Sequence, residues 1–114
     1  MTRPERAIQI WQVLISLAHN RQRITYEKLS ELIGMGNVAV ALTQPLELLM
    51  TYCTNNGLPP LTILVVQKHT GIPGQGLTTI EELNADREKV FNFEWLQLPP
   101  LKISEIENIN QQIN

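Results

Sequence analysis

Cysteine occurs once in this 114-residue chain, at Cys53, which excludes an internal disulfide framework and makes the reducing cytoplasm the expected compartment. Histidine occurs twice, at His19 and His69, and no H-E-x-x-H, C-x-x-C, G-x-S-x-G or phosphate-loop pattern is present. An enzyme needs a converging set of acid, base, nucleophile or metal ligands, so no catalytic residue, no metal site and no cofactor is expected. Glu81-Glu82 and the Glu105/Glu107 pair are read as helix-capping and solvated carboxylates. Apolar runs are short: none approaches the roughly 20 residues that span a bilayer. Gln9 and Gln12 interrupt the apolar stretch behind the N-terminus, so neither a secretory leader nor a membrane partner is expected. Lysine and arginine are missing altogether between residues 29 and 67.

What is present is globular: 43% hydrophobic and 18% charged residues with a mean hydropathy of -0.09, in a length that fits one domain with one core. The net charge of -2 is unevenly spread. Residues 1–28 carry five cations against two carboxylates, a balance of +3, and the remainder carries four against nine, a balance of -5. The basic end is a candidate for meeting an anion, but with no run of basic residues in it scattered surface charge is the favoured reading.

Pro4 behind Thr2 and Arg3 opens a predicted helix over residues 5–19. Its apolar positions, Ile8, Trp11 and Ile15 among them, cover more than half the circumference. The helix is therefore either central to the domain or the contact of a homodimer made through Ile8, Trp11 and Ile15. The stretch ITYEKLSELIG predicts a second helix with Thr25 as N-cap, an Ile24–Leu29 staple, Gly34 as C-cap, and Leu29, Leu32 and Ile33 facing inward. A short third helix capped by Asn37 is expected up to Gln44. Pro45 then opens a fourth that ends at Gly57, with Leu46, Leu49, Met50 and Cys53 in the core. Residues 61–67, apolar at nearly every position, predict a covered strand, with a glycine-rich hairpin loop over 68–76 and a strand returning near residue 76. A helix beginning near Thr78 and Thr79 and running to Trp95, and a short tail helix using Ile103, Ile106, Ile109 and Ile113, complete the pattern.

Three helices followed by a strand and a glycine-rich hairpin make a winged helix the expected topology. The fold class is mainly α with a small β-hairpin, a helix-turn-helix plus wing, carrying a C-terminal helical extension. It divides as a helix-turn-helix core at about 5–57, strand and wing at about 58–78, and extension at about 79–114. ITYEKLSELIG and PPLTILVVQKHTGIPGQG together resemble the C-terminal domain of the DNA alkyltransferases and alkyltransferase-like proteins, over about half the chain. That resemblance implies a DNA-binding fold, with Tyr26 as a phosphate contact. It also implies a reactive cysteine within PPLTILV, where this chain has none, and an arginine in the recognition helix, where VAVALTQ has no cation. Cys53 lies too early to replace the nucleophile, and buried filler explains it.

Two function classes remain. One is a non-enzymatic binder of duplex DNA, weak and salt-sensitive, positioned by Arg21, Arg23, Tyr26, Lys28, Lys68 and His69, with Asn37 and Gln44 available to base edges. The other is a protein-interaction or self-associating adaptor, favoured by the uncharged recognition segment and the net acidity.

Overall fold

A computed structural model describes residues 1–36, 39–73 and 80–113 of the chain. The first helix, α1 (Arg3–His19), starts in a full capping box: the Thr2 hydroxyl accepts from the Glu5 amide at 3.2 Å and the Glu5 carboxylate accepts from the Thr2 amide at 2.8 Å. Pro4 sits in the first turn, where its missing N–H costs nothing. The end is less ordinary. Arg21 takes a left-handed φ of 55°, while the Gln22 and Arg21 amides donate to the Leu17 and Ala18 carbonyls, a Schellman arrangement with arginine in the place glycine usually holds.

Two-residue strands follow at Ile24–Thr25 (β1) and, forty residues on, at Val65–Val66 (β2), pairing in parallel with Ile24 opposite Val65. Helix α2 (Tyr26–Leu32) begins directly after β1, capped by the Thr25 hydroxyl accepting from the Lys28 amide at 3.1 Å. It stops as its sequence predicts. Gly34, at φ 81°, donates to Glu31, and Met35 donates to Ser30 at 2.8 Å. The buried Ser30 hydroxyl donates to the Gly36 carbonyl at 2.7 Å and so ties down the exit turn. Arg6 reaches across from α1 to donate to the Ile33 carbonyl at 2.7 Å, using a carbonyl the helix end leaves free. Leu29 and Ile33 are buried, but Leu32 is 59% exposed, because a seven-residue helix presents only a narrow face to the core.

The separate third and fourth helices expected around Pro45 are one unit. A 3₁₀ turn at Ala39–Leu42 runs into α3 (Thr43–Asn55), and Pro45 lies buried in the first turn of α3 rather than opening a helix. A first-turn proline loses no helical hydrogen bond, so it marks a start only to within a few residues. Gln44 therefore belongs to α3, and Asn37 lies outside the described residues. Within α3 Leu46, Leu48, Leu49 and Cys53 are buried, whereas Met50 is 41% exposed.

The strand expected over residues 61–67 is mostly not a strand. Leu61–Leu64 forms a 3₁₀ turn led in by Pro60, and only Val65 and Val66 are extended. A run buried on every side looks alike as either structure, and the docking of Leu61 and Leu64 into the core decides for the turn. The β2 partner among the described residues is β1; the hairpin's return near residue 76 falls outside them, as do Thr78 and Thr79. Helix α4 (Ile80–Asn92) ends before Trp95, which sits in a 3₁₀ turn (Trp95–Gln97) with its indole N–H donating to the Val90 carbonyl at 2.7 Å. Helix α5 (Ile103–Ile113) buries Ile106 and Ile109 and exposes Ile103 and Ile113.

Helix α1 is the centre: α3, α5, α4 and both later 3₁₀ turns pack on it. Trp11 is 5% exposed and meets Tyr52 at 5.5 Å and Trp95 at 5.6 Å between ring centroids, both edge-on. Of the two expectations for the broad apolar arc of α1, burial within the protomer accounts for Trp11. Ile8 and Ile15 are half-buried along a cleft shared with residues 95–101. Among the described residues no helix is long and apolar enough to cross a membrane.

Candidate functional site

The basic residues of the chain become a site only where the fold gathers them. Arg23 precedes β1, and β1 lies beside β2, so Arg23 arrives next to the turn that leaves β2. That turn is closed by two backbone bonds: the Gly71 amide donates to the Gln67 carbonyl at 2.9 Å and the Gln67 amide to the Ile72 carbonyl at 2.8 Å. Gly71 takes φ 69°, a left-handed value that suits glycine. Thr70 reinforces the turn, donating to the Gln67 side chain at 3.1 Å and accepting from the Ile72 amide at 3.3 Å. Lys68 and His69 stand exposed at its tip.

Two guanidinium groups hold the turn from below. Arg23 Nη1 donates to the Gly71 carbonyl at 3.5 Å, and Arg87 Nη2, from the middle of α4, donates to the same oxygen at 2.7 Å. Arg87 reads in the sequence as one of four consecutive solvated charges; it is instead half-buried, and its Nε has no partner among the described residues. Burial and then the neighbouring Arg23 charge hold the Arg87 guanidinium below its ordinary pKa. The signal that could have marked it is spacing: Leu83, Val90 and Arg87 share a helical face, so a charge at residue 87 points toward the body.

The remaining candidates divide. Arg21 is committed elsewhere: it donates to Glu88 at 2.6 Å and to Asn92 at 3.4 Å, with its guanidinium carbon 4.9 Å from the centre of the Phe91 ring. Lys28 projects to solvent from α2, and Gln44 from the start of α3. Tyr26 is half-buried and lines an apolar cleft of about 200 Å³ with Leu46, Met50, Pro60, Ile63 and Asp86. The PPLTILV segment, where the resemblance implies a reactive cysteine, gives this cleft Pro60, Thr62 and Ile63. Cys53 does not line it. Its thiol is 2% exposed and pushed up to about 11 by burial, against a smaller lowering by a hydrogen bond with the Leu61 backbone. A thiol so placed is neutral at physiological pH and out of reach of an electrophile.

No cluster of three or more histidine, cysteine, aspartate or glutamate side chains suited to a metal occurs among the described residues. Compared with protein-family models, with curated proteins and with solved structures, the chain has no significant match.

Proposed function

We propose that this chain is a non-enzymatic, winged-helix-like protein that binds duplex DNA weakly through the turn that leaves β2. The observation that carries the reading is the convergence of Arg23 with Lys68 and His69 on one exposed turn, although more than forty residues separate Arg23 from the other two. Phosphate contacts need cations and oriented donors at a common surface, and here Arg23 and Lys68 come together with the imidazole of His69, while segment 39–44 presents uncharged Val40, Thr43 and Gln44. A geometry with few cations and no charged recognition segment predicts low affinity and little sequence preference. The likeness of ITYEKLSELIG and PPLTILVVQKHTGIPGQG to the alkyltransferase-like domains supports the same reading, with alkyl transfer itself excluded from it by the residues in the cleft.

The test is a fluorescence-anisotropy titration of a labelled duplex at about 50 and 200 mM salt, with the wild type and an Arg23→Gln/Lys68→Gln/His69→Gln triple variant. Three phosphate contacts predict a loss of about tenfold or more between the two salts. The triple variant is expected to lose most of the binding, and Arg21→Gln to retain it. No binding at the lower salt would overturn the reading and leave the adaptor alternative in its place.

A further inference from the structure

From the way α4 meets the turn after β2, we infer that Arg23 and Arg87 together form an oxyanion site specific for a phosphate group. The two guanidinium groups donate to a single neutral acceptor, the Gly71 carbonyl, so their donor nitrogens lie at most about 6 Å apart, the two contacts laid end to end. Like charges held this close need a counter-charge, and none is supplied by the described residues. Among the described residues neither arginine forms an ion pair. The carboxylates nearest in sequence are otherwise placed: Asp86 faces the apolar cleft, and Glu88 is paired with Arg21.

Donor capacity gives the same answer. Each guanidinium offers five N–H groups, and the single carbonyl takes one from each side chain. Arg87 Nε is buried and takes no part, but among the described residues the forks make no bond other than those to Gly71, which leaves donors for a tetrahedral oxyanion that two guanidinium groups can bind together. Lys68 and His69 rise from the turn whose Gly71 carbonyl anchors the pair, Lys68 adding a positive charge and both adding donors to the approach. Of the four cations beyond residue 28, two, Lys68 and Arg87, are spent on this one place. In a chain of net charge -2 such a concentration is a local inversion of sign.

The phosphate has two possible sources, a nucleic-acid backbone or a free phosphate. Only the first rests on the duplex-binding reading; the anion chemistry stands without it. The pair is tested by following the arginine Nε–Hε signals by ¹⁵N-resolved NMR while inorganic phosphate is added at constant ionic strength, with chloride as the control. Saturable shifts at Arg23 and Arg87 are expected with phosphate and not with chloride, and Arg23→Gln should abolish them. Arg23 is exposed and its contact with Gly71 is long, so that variant keeps the fold where Arg87→Gln removes the shorter bond that holds the turn; an unchanged amide spectrum elsewhere checks this. In a parallel duplex titration Arg23→Gln should weaken binding about three- to tenfold and lower the salt slope by about one. Phosphate binding with a duplex affinity untouched by Arg23→Gln supports the site with free phosphate as its source. Absence of any phosphate response, or one that survives Arg23→Gln, overturns the proposal even if the duplex binds.

Discussion

Cys53, read in the sequence as buried filler, is buried in the fold, and that burial governs its thiol. Its thiol meets the Leu61 backbone within the apolar core, and among the described residues no cation acts on it to stabilise a thiolate. Burial raises the pKa to about 11 from an ordinary value near 9.0. Between those two values an unfolded chain releases the thiol proton while the folded one retains it, so the folded state holds more protons and loses stability as pH rises. The contribution is complete below about pH 9 and falls away toward pH 11, by about 2–3 kcal/mol in all. Urea unfolding of wild type and Cys53→Ser at pH 7, 9 and 10.5 checks this: the wild type should weaken across the series, and the variant, already destabilised by a buried hydroxyl, should weaken less. An equal decline in both would assign the alkaline loss to other groups, Tyr52 first, since burial raises its pKa too. Arg21 makes a similar point about backbone. It occupies a left-handed turn position suited to glycine, and its reward is the contact with Glu88 and Phe91 on α4.

At the scale of elements, α2 is bounded by two local devices of known worth. Thr25→Ala removes the hydroxyl that accepts from Lys28, and Gly34→Ala forces a side chain into φ 81°, where the space is open and the backbone alone carries the strain. Each is expected to cost about 1 kcal/mol in chemical denaturation, and Gly34→Asn less than Gly34→Ala because asparagine tolerates the left-handed region. Both signals were legible in the sequence because caps act within four residues of themselves. The same locality made the first helix and the tail helix legible. The run 61–67 was not, since hydrophobicity without period carries no direction: only the fold shows Leu61 and Leu64, three residues apart, turning inward from a 3₁₀ turn while Thr62 and Ile63 stay half-buried. Leu32 and Met50 misled for a related reason, because helical spacing predicts which residues share a face but not how much of that face a neighbour covers. In the candidate site, Arg23, Lys68 and His69 could be picked out by charge, and Tyr26 by its motif. For Arg87 helical spacing shows that it faces the body but not that it joins them, which depends on the meeting of α4 with a turn sixteen residues away.

Across the whole molecule, stability is pooled in one cluster that draws on every helix. The tail helix is part of it: Ile106 is fully buried and Ile109 nearly so, against α1 and α3. Ile106→Ala is therefore expected to cost about 2–5 kcal/mol, and Ile113→Ala, at 43% exposure, under about 0.5. Tryptophan fluorescence reports both, since Trp11 and Trp95 are buried in edge-on contact and their emission should shift to longer wavelength in a single transition as the core opens. Two separate transitions would show that α5 melts on its own, and the pooled core would have to be abandoned.

The position of α1 has a consequence in time as well as in space. It is made before every other described helix, and α5, the last of them in chain order, packs against it, so part of its apolar arc waits in solvent until α5 has been made. The β1–β2 pairing imposes the same delay on the turn that carries the basic residues, because Arg23 has no Gly71 to hold until forty-eight residues later. Contacts this distant in sequence slow folding, and a nascent chain showing Trp11 and Ile15 but lacking α5 is the form most exposed to aggregation.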